Sequence, residues 1–153
     1  MRKLHLMAAV AVVALTTAAA ASSQPLARTF AVPLTSAEEV PLCGPADSSD
    51  RGVALFKILD LEAGTVAYKV VTTDLPGDIV GSPGLHIHGQ APAGETAGVV
   101  QALTLTGAEV GVVAEGTFTN PQLLDAILAN PQLYYVNVHS TVCPSGVVRG
   151  QLA

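Results

Sequence analysis

From residue 27 onward, apolar and polar positions alternate mostly with a period of two, the spacing of half-buried strands rather than helices. Residues 30–34 form a short run that ends in the polar stretch 35–39. Residues 53–59 and 65–73 make two stronger strands, joined by Leu61-Glu62-Ala63-Gly64 as a hairpin turn. In the second of these, Val66, Tyr68 and Val70 share one face and Lys69 lies on the other. Pro76-Gly77 and Pro83-Gly84 punctuate a loop. A short strand over 85–89 precedes a Gly/Ala/Pro-rich loop at 90–98, and two further strands follow at 99–105 and 110–119. Only 121–129 reads as a helix. Asn120 caps it, Pro121 takes the first helical position, Leu124, Ile127 and Leu128 form its apolar stripe, and Asn130-Pro131 ends it. Strands at 134–139 and 147–152 complete the chain. About eight short strands with one short helix, and no internal repeat or linker, predict one all-β domain. Its expected architecture is an antiparallel Greek-key sandwich or barrel.

Residues 1–21 stand outside this pattern. Arg2 and Lys3 precede an apolar run over 4–15, broken only by His5, and alanines lead up to Ala21. These are the regions of a secretory signal peptide, and the run is short for a membrane span. The expectation is cleavage after Ala20 or Ala21, leaving a mature domain over 22–153 that is secreted or periplasmic and has no transmembrane segment. Loss of Arg2 and Lys3 takes the net charge from −5 to about −7. So acidic a chain, with no basic cluster, suits neither nucleic acid nor an anionic membrane surface. Its 50% hydrophobic content excludes a disordered chain. Export also gives Cys43 and Cys143 a meaning, because outside the cytoplasm two cysteines pair. Such a disulfide would close a loop of about 100 residues, a contribution of about 4–5 kcal/mol in the chain-entropy model. Metal-ligating thiolates are the alternative, which the absence of a Cys-x-x-Cys spacing disfavours.

The candidate chemistry lies in the three histidines that remain after the signal peptide. His86 and His88 flank Ile87, so on a strand both imidazoles project to one face while Leu85 and Ile87 enter the core. His139 closes the alternating run Tyr135-Val136-Asn137-Val138-His139, where Val136 and Val138 face inward and His139 outward. If the two strands pair, three imidazoles converge on one side of the sheet, beneath whichever loop covers it. Cross-strand Cβ atoms lie about 4.5–5.5 Å apart, close enough to share one ion. Imidazole suits copper and zinc alike. Asn137 shares the His139 face, either as a hydrogen-bond partner behind the ligands or, more plainly, as a solvated strand residue. Arg149 either brings positive charge beside a metal or pairs with Glu39. Glu38-Glu39 reads as an ordinary solvated loop pair ahead of a paired acid site, since no second carboxylate cluster accompanies it. No nucleophile elbow, P-loop or dinucleotide fingerprint is present. A Cys143 nucleophile beside His139 would be consumed by the disulfide.

Four segments together resemble a known family. They are Leu34-Thr35-Ser36-Ala37-Glu38-Glu39-Val40-Pro41, Leu85-His86-Ile87-His88-Gly89, Tyr135-Val136-Asn137-Val138-His139-Ser140, and the closing Pro144-Ser145-Gly146-Val147-Val148-Arg149-Gly150-Gln151-Leu152. The chain is similar to CHRD domains, modules named after chordin and widespread in exported bacterial proteins. That resemblance spans about Phe30 to Leu152 and implies a secreted β-sandwich of mostly unassigned role. A fainter similarity, to the copper site of copper-zinc superoxide dismutase, would give ligand roles to His86, His88 and His139, and supporting roles to Arg149 and the Cys43–Cys143 pair. The mature chain has no fourth histidine to bridge copper to zinc, and its loop after Gly89 offers only Glu95 as an oxygen donor. A three-histidine site takes Cu(I), or Cu(II) or zinc with water in an open position. The sequence thus points to an exported CHRD protein binding one transition metal, copper ahead of zinc. The alternatives are a metal-free structural or protein-binding module and a dismutase-like copper enzyme. No motif establishes an enzyme, and none identifies a protein partner.

Overall fold

The computed structural model describes residues 29–45, 48–81 and 84–153. The signal-peptide reading of 1–21 and Pro83 of the predicted loop lie outside the described residues. Eight strands form one antiparallel sheet: β1 (Thr29–Thr35), β2 (Arg51–Asp60), β3 (Thr65–Thr72), β4 (Leu85–Gly89), β5 (Val99–Ala102), β6 (Gly111–Thr119), β7 (Tyr134–Val138) and β8 (Val148–Gln151). Their spatial order is β5-β4-β7-β8-β1-β2-β3-β6. The connections β3→β4 and β6→β7 therefore skip neighbours and cross the ends of the sheet, as the Greek-key expectation requires. The sheet curls into a half-barrel, and the segment after β5 reaches β6, where Leu105 bridges Ala114 and the Thr106 amide donates to the Val113 carbonyl at 2.9 Å. Between sandwich and barrel, the chain has taken a single curled sheet.

Alternation builds the interior. Val32 and Leu34 of β1, Ala54, Phe56 and Ile58 of β2, and Val66, Tyr68 and Val70 of β3 are buried, while Leu55, Lys57 and Lys69 project outward. The helix α1 (Pro121–Ala129) adds Leu123, Leu124 and Ile127 to the same core, and Asn120 Oδ1 accepts from the Leu123 amide at 3.1 Å, the expected cap. The predicted strand at 99–105 is shorter than expected. After Ala102 the Leu103 amide still donates to the Leu85 carbonyl at 2.9 Å and its side chain enters the core, but the Thr104 amide donates to the Tyr68 hydroxyl and Leu105 bridges Ala114 of β6 instead.

The two halves of the sheet differ. β2 and β3 alternate between buried and accessible, but every residue of β7 is buried, as is β4 up to Gly89 and β8 up to Gln151. The inner face of this second half meets the core. Its outer face, carrying His86, His88, Tyr135, Asn137, Arg149 and Gln151, is covered by the loop at 90–98 and by the turn after β7. The Cys43–Cys143 disulfide is formed and ties that turn to the segment after β1.

Candidate metal centre

β4 and β7 are hydrogen-bonded neighbours with Leu85 opposite Val138, His86 opposite Asn137, Ile87 opposite Val136 and His88 opposite Tyr135. This register places His86 and His88 on the outer face, as their spacing predicts. His139 lies one residue beyond β7, and its amide donates to the Gly84 carbonyl at 2.8 Å, which keeps it in line with the strand. The potential ligand atoms of the three histidines fall within 4.8 Å of one another. The ring centres of His86 and His139 are 4.7 Å apart, and those of His86 and His88 are 4.9 Å apart.

Backbone carbonyls orient two of the rings. His88 Nδ1 lies 2.9 Å from the Ala97 carbonyl oxygen, and His139 Nδ1 lies 3.0 Å from that of Pro144. A carbonyl only accepts, so both Nδ1 atoms carry protons and both Nε2 atoms are left as lone-pair donors. The His139 Nε2 is buried with no hydrogen-bond partner, and His88 Nε2 accepts a hydrogen bond from His86 Nδ1 at 3.1 Å. That separation is the one that two ligands at about 2.0–2.1 Å from a common ion have at an angle between square and tetrahedral. Burial lowers the proton affinity of both His88 and His139. At each, the carbonyl hydrogen bond works against burial, and at His88 the charges of His139 and Arg149 add to it. Both rings are thus held neutral, the form that binds metal.

The loop at 90–98 is fastened over this face through its own backbone. Besides the His88 contact, the Ala97 amide donates to the Tyr135 hydroxyl, Arg149 donates to the Glu95 carbonyl at 2.8 Å, and Gln151 donates to the Ala91 carbonyl at 3.0 Å. Tyr135 is the centre of the arrangement. Since β7 runs between β4 and β8, its ring meets His88 from one neighbour, stacked 3° from parallel with centres 4.6 Å apart. From the other neighbour comes the Arg149 guanidinium, 3.5 Å from the ring centre.

Three expectations need correction. Asn137 is buried rather than solvated, and its amide donates to Glu39 Oε2 at 3.3 Å instead of to a histidine. Glu39 is 3% exposed, so Glu38-Glu39 is not a solvated pair. The 3-10 turn Ser36–Glu38 breaks the alternation of β1 and drops the Glu39 side chain beneath Gly146, where a Cβ would lie 2.3 Å from Oε2. Desolvation pushes its pKa up to about 8, against the opposing influence of Arg149 and the Asn137 and Val40 hydrogen bonds. Arg149, finally, does not ion-pair with Glu39. Its hydrogen bonds go to Glu95 and Gln151, and its charge reaches Glu39 only through space. Glu95 contributes its main chain to the site while its side chain is exposed. Tyr135 and Gln151, which no spacing argument singled out, do as much to shape the centre as the residues that were. Their place on the same strand face as Asn137 and Arg149 was the available signal.

The family model for the CHRD domain matches residues 30–152, nearly the whole described chain. The chain belongs to the CHRD-domain family. No curated protein and no solved structure is significantly similar to it. In this CHRD domain the histidine cluster, the covering loop and the disulfide all fall within the matched span. No helix among the described residues is long and apolar enough to cross a membrane. The disulfide and the family are compatible with an extracellular location.

Proposed function

We propose that this CHRD domain binds one transition-metal ion, copper ahead of zinc, through His86, His88 and His139, in a secreted or periplasmic protein. The observation that carries the reading is the pair of Nδ1–H groups held by the Ala97 and Pro144 carbonyls, which aims two neutral Nε2 atoms into one buried site beside His86. Ligating histidines in metal sites are fixed in this way, with the second ring nitrogen donating to a carbonyl or carboxylate. Among divalent ions copper comes ahead of zinc, because nitrogen sites follow the Irving–Williams order. The role this supports is copper binding or handling outside the cytoplasm. Export is supported by the character of residues 1–21 and by the disulfide.

The deciding experiment measures metal per chain after titration of the disulfide-intact protein with copper and with zinc. About one ion per chain, lost in His86→Ala/His88→Ala and in His139→Ala, is expected. Equal retention by the variants would overturn the assignment. A protein-binding role has one observation in its favour. An open groove of about 630 Å³ crosses the outer face of β2, β3 and β6 between Leu55, Lys57, Ala67 and Lys69.

A further inference from the structure

We infer that the three-histidine centre selects copper in the monovalent state over divalent copper and zinc. The inference rests on the metal-binding reading and adds to it the charge of the ion.

The selection comes from the balance of buried charge. All three ligands are imidazoles, which bind a metal in their neutral form, and the set includes neither carboxylate nor thiolate. His86 and His88 are 4% and 8% exposed and His139 is half-buried, so an ion held there has lost much of its water. The cost of burying an ion rises steeply with its charge, and a compensating anion is what normally offsets it. Around this site the compensation has the wrong sign. Arg149 is 1% exposed and permanently cationic. Its stack on Tyr135, and that of Tyr135 on His88, place the guanidinium carbon no more than about 8 Å from the centre of the His88 ring. Glu39 is the one buried carboxyl among the described residues, and it carries a proton at neutral pH. A divalent ion would thus sit on neutral donors beside a fixed cation with no buried anion to answer it. A monovalent ion meets half the repulsion. Coordination number agrees, because divalent copper prefers tetragonal sites with four or more donors.

The test sets ion against ion on the intact, disulfide-bonded chain. Cu(I), kept reduced by excess ascorbate without oxygen, is titrated against a chromogenic Cu(I) chelator. Cu(II) and zinc are titrated against chelators of known affinity. We expect one Cu(I) per chain, bound at least tenfold more tightly than either divalent ion. An ion on that ring lies about 3 Å from its centre, and one charge difference at about 8–11 Å with an effective dielectric near 20 corresponds to a factor of about ten to thirty. Arg149→Gln should therefore shift the Cu(I):Cu(II) affinity ratio toward Cu(II) by that factor, and Arg149→Lys should keep most of it. Cu(II) or zinc binding as tightly as Cu(I), or an unchanged ratio in a folded Arg149→Gln chain, would overturn the inference and leave the metal site standing. If Arg149→Gln does not fold, the order of affinities in the unaltered protein decides. Binding of no ion, or binding indifferent to His86→Ala/His88→Ala, would sink the metal reading itself.

Discussion

Glu39 shows how one side chain couples acidity to stability. Its folded pKa, about 8, lies above the ordinary carboxylate value of 4.5, so the folded chain holds this proton more tightly than the unfolded chain does. The stabilising contribution is complete below 4.5 and is lost as pH rises toward 8. Glu39→Gln keeps the neutral shape without the titration. Thermal unfolding of the native chain should therefore fall by several degrees relative to this variant between pH 5 and 8, and parallel curves would contradict the assignment. His88 and His139 shift the other way. Burial lowers their proton affinities, so bound metal should be released at lower pH than from solvent-exposed histidines, as dialysis at stepped pH would read out. That His86 and His88 share a face was legible in the sequence because i, i+2 spacing is a local rule, whereas the approach of His139 depends on the pairing of β4 with β7. The burial of Glu39 was not. It depends on a 3-10 turn and on Gly146, a residue more than a hundred positions away, which no local pattern connects to it.

Among the elements, β4 and β7 matter most, because both faces of each are covered. Alternation along Leu85-His86-Ile87-His88 and Tyr135-Val136-Asn137-Val138 told which side chains face the core. It could not tell that a polar face is dry, since Asn137 reads the same under water or under a loop. The covering loop at 90–98 lacks apolar periodicity, and its anchoring depends on carbonyls whose directions the sequence does not encode. Tyr135→Phe probes that anchoring. Removing the hydroxyl leaves the Ala97 amide without its 3.1 Å partner and should cost about 1 kcal/mol. Faster hydrogen exchange at Ala97, with quicker metal release, is the expected outcome. Unchanged protection would mean that the His88 and Arg149 contacts hold the loop unaided.

For the molecule as a whole, the disulfide is the main long-range constraint. It spans 100 residues, and Cys143 is next to Pro144, whose carbonyl orients His139. Replacing both cysteines with serine should cost about 2–5 kcal/mol in denaturant unfolding. It should also weaken metal binding more than a remote destabilisation of equal size, because the turn bearing Pro144 loses its tether. The fold class and the pairing of the cysteines followed from counting strands and cysteines. The curling that brings Leu105 to Ala114 did not, since strand counting leaves a sandwich and a curled sheet equivalent. The placement of the disulfide has one more consequence. His86, His88 and His139 all lie inside the covalent ring that it closes. A protease that cuts the exposed loop at 90–98 leaves His86 and His88 on one fragment and His139 on the other, yet the fragments stay bolted together. The nicked protein can keep its site intact until a reductant parts the two pieces.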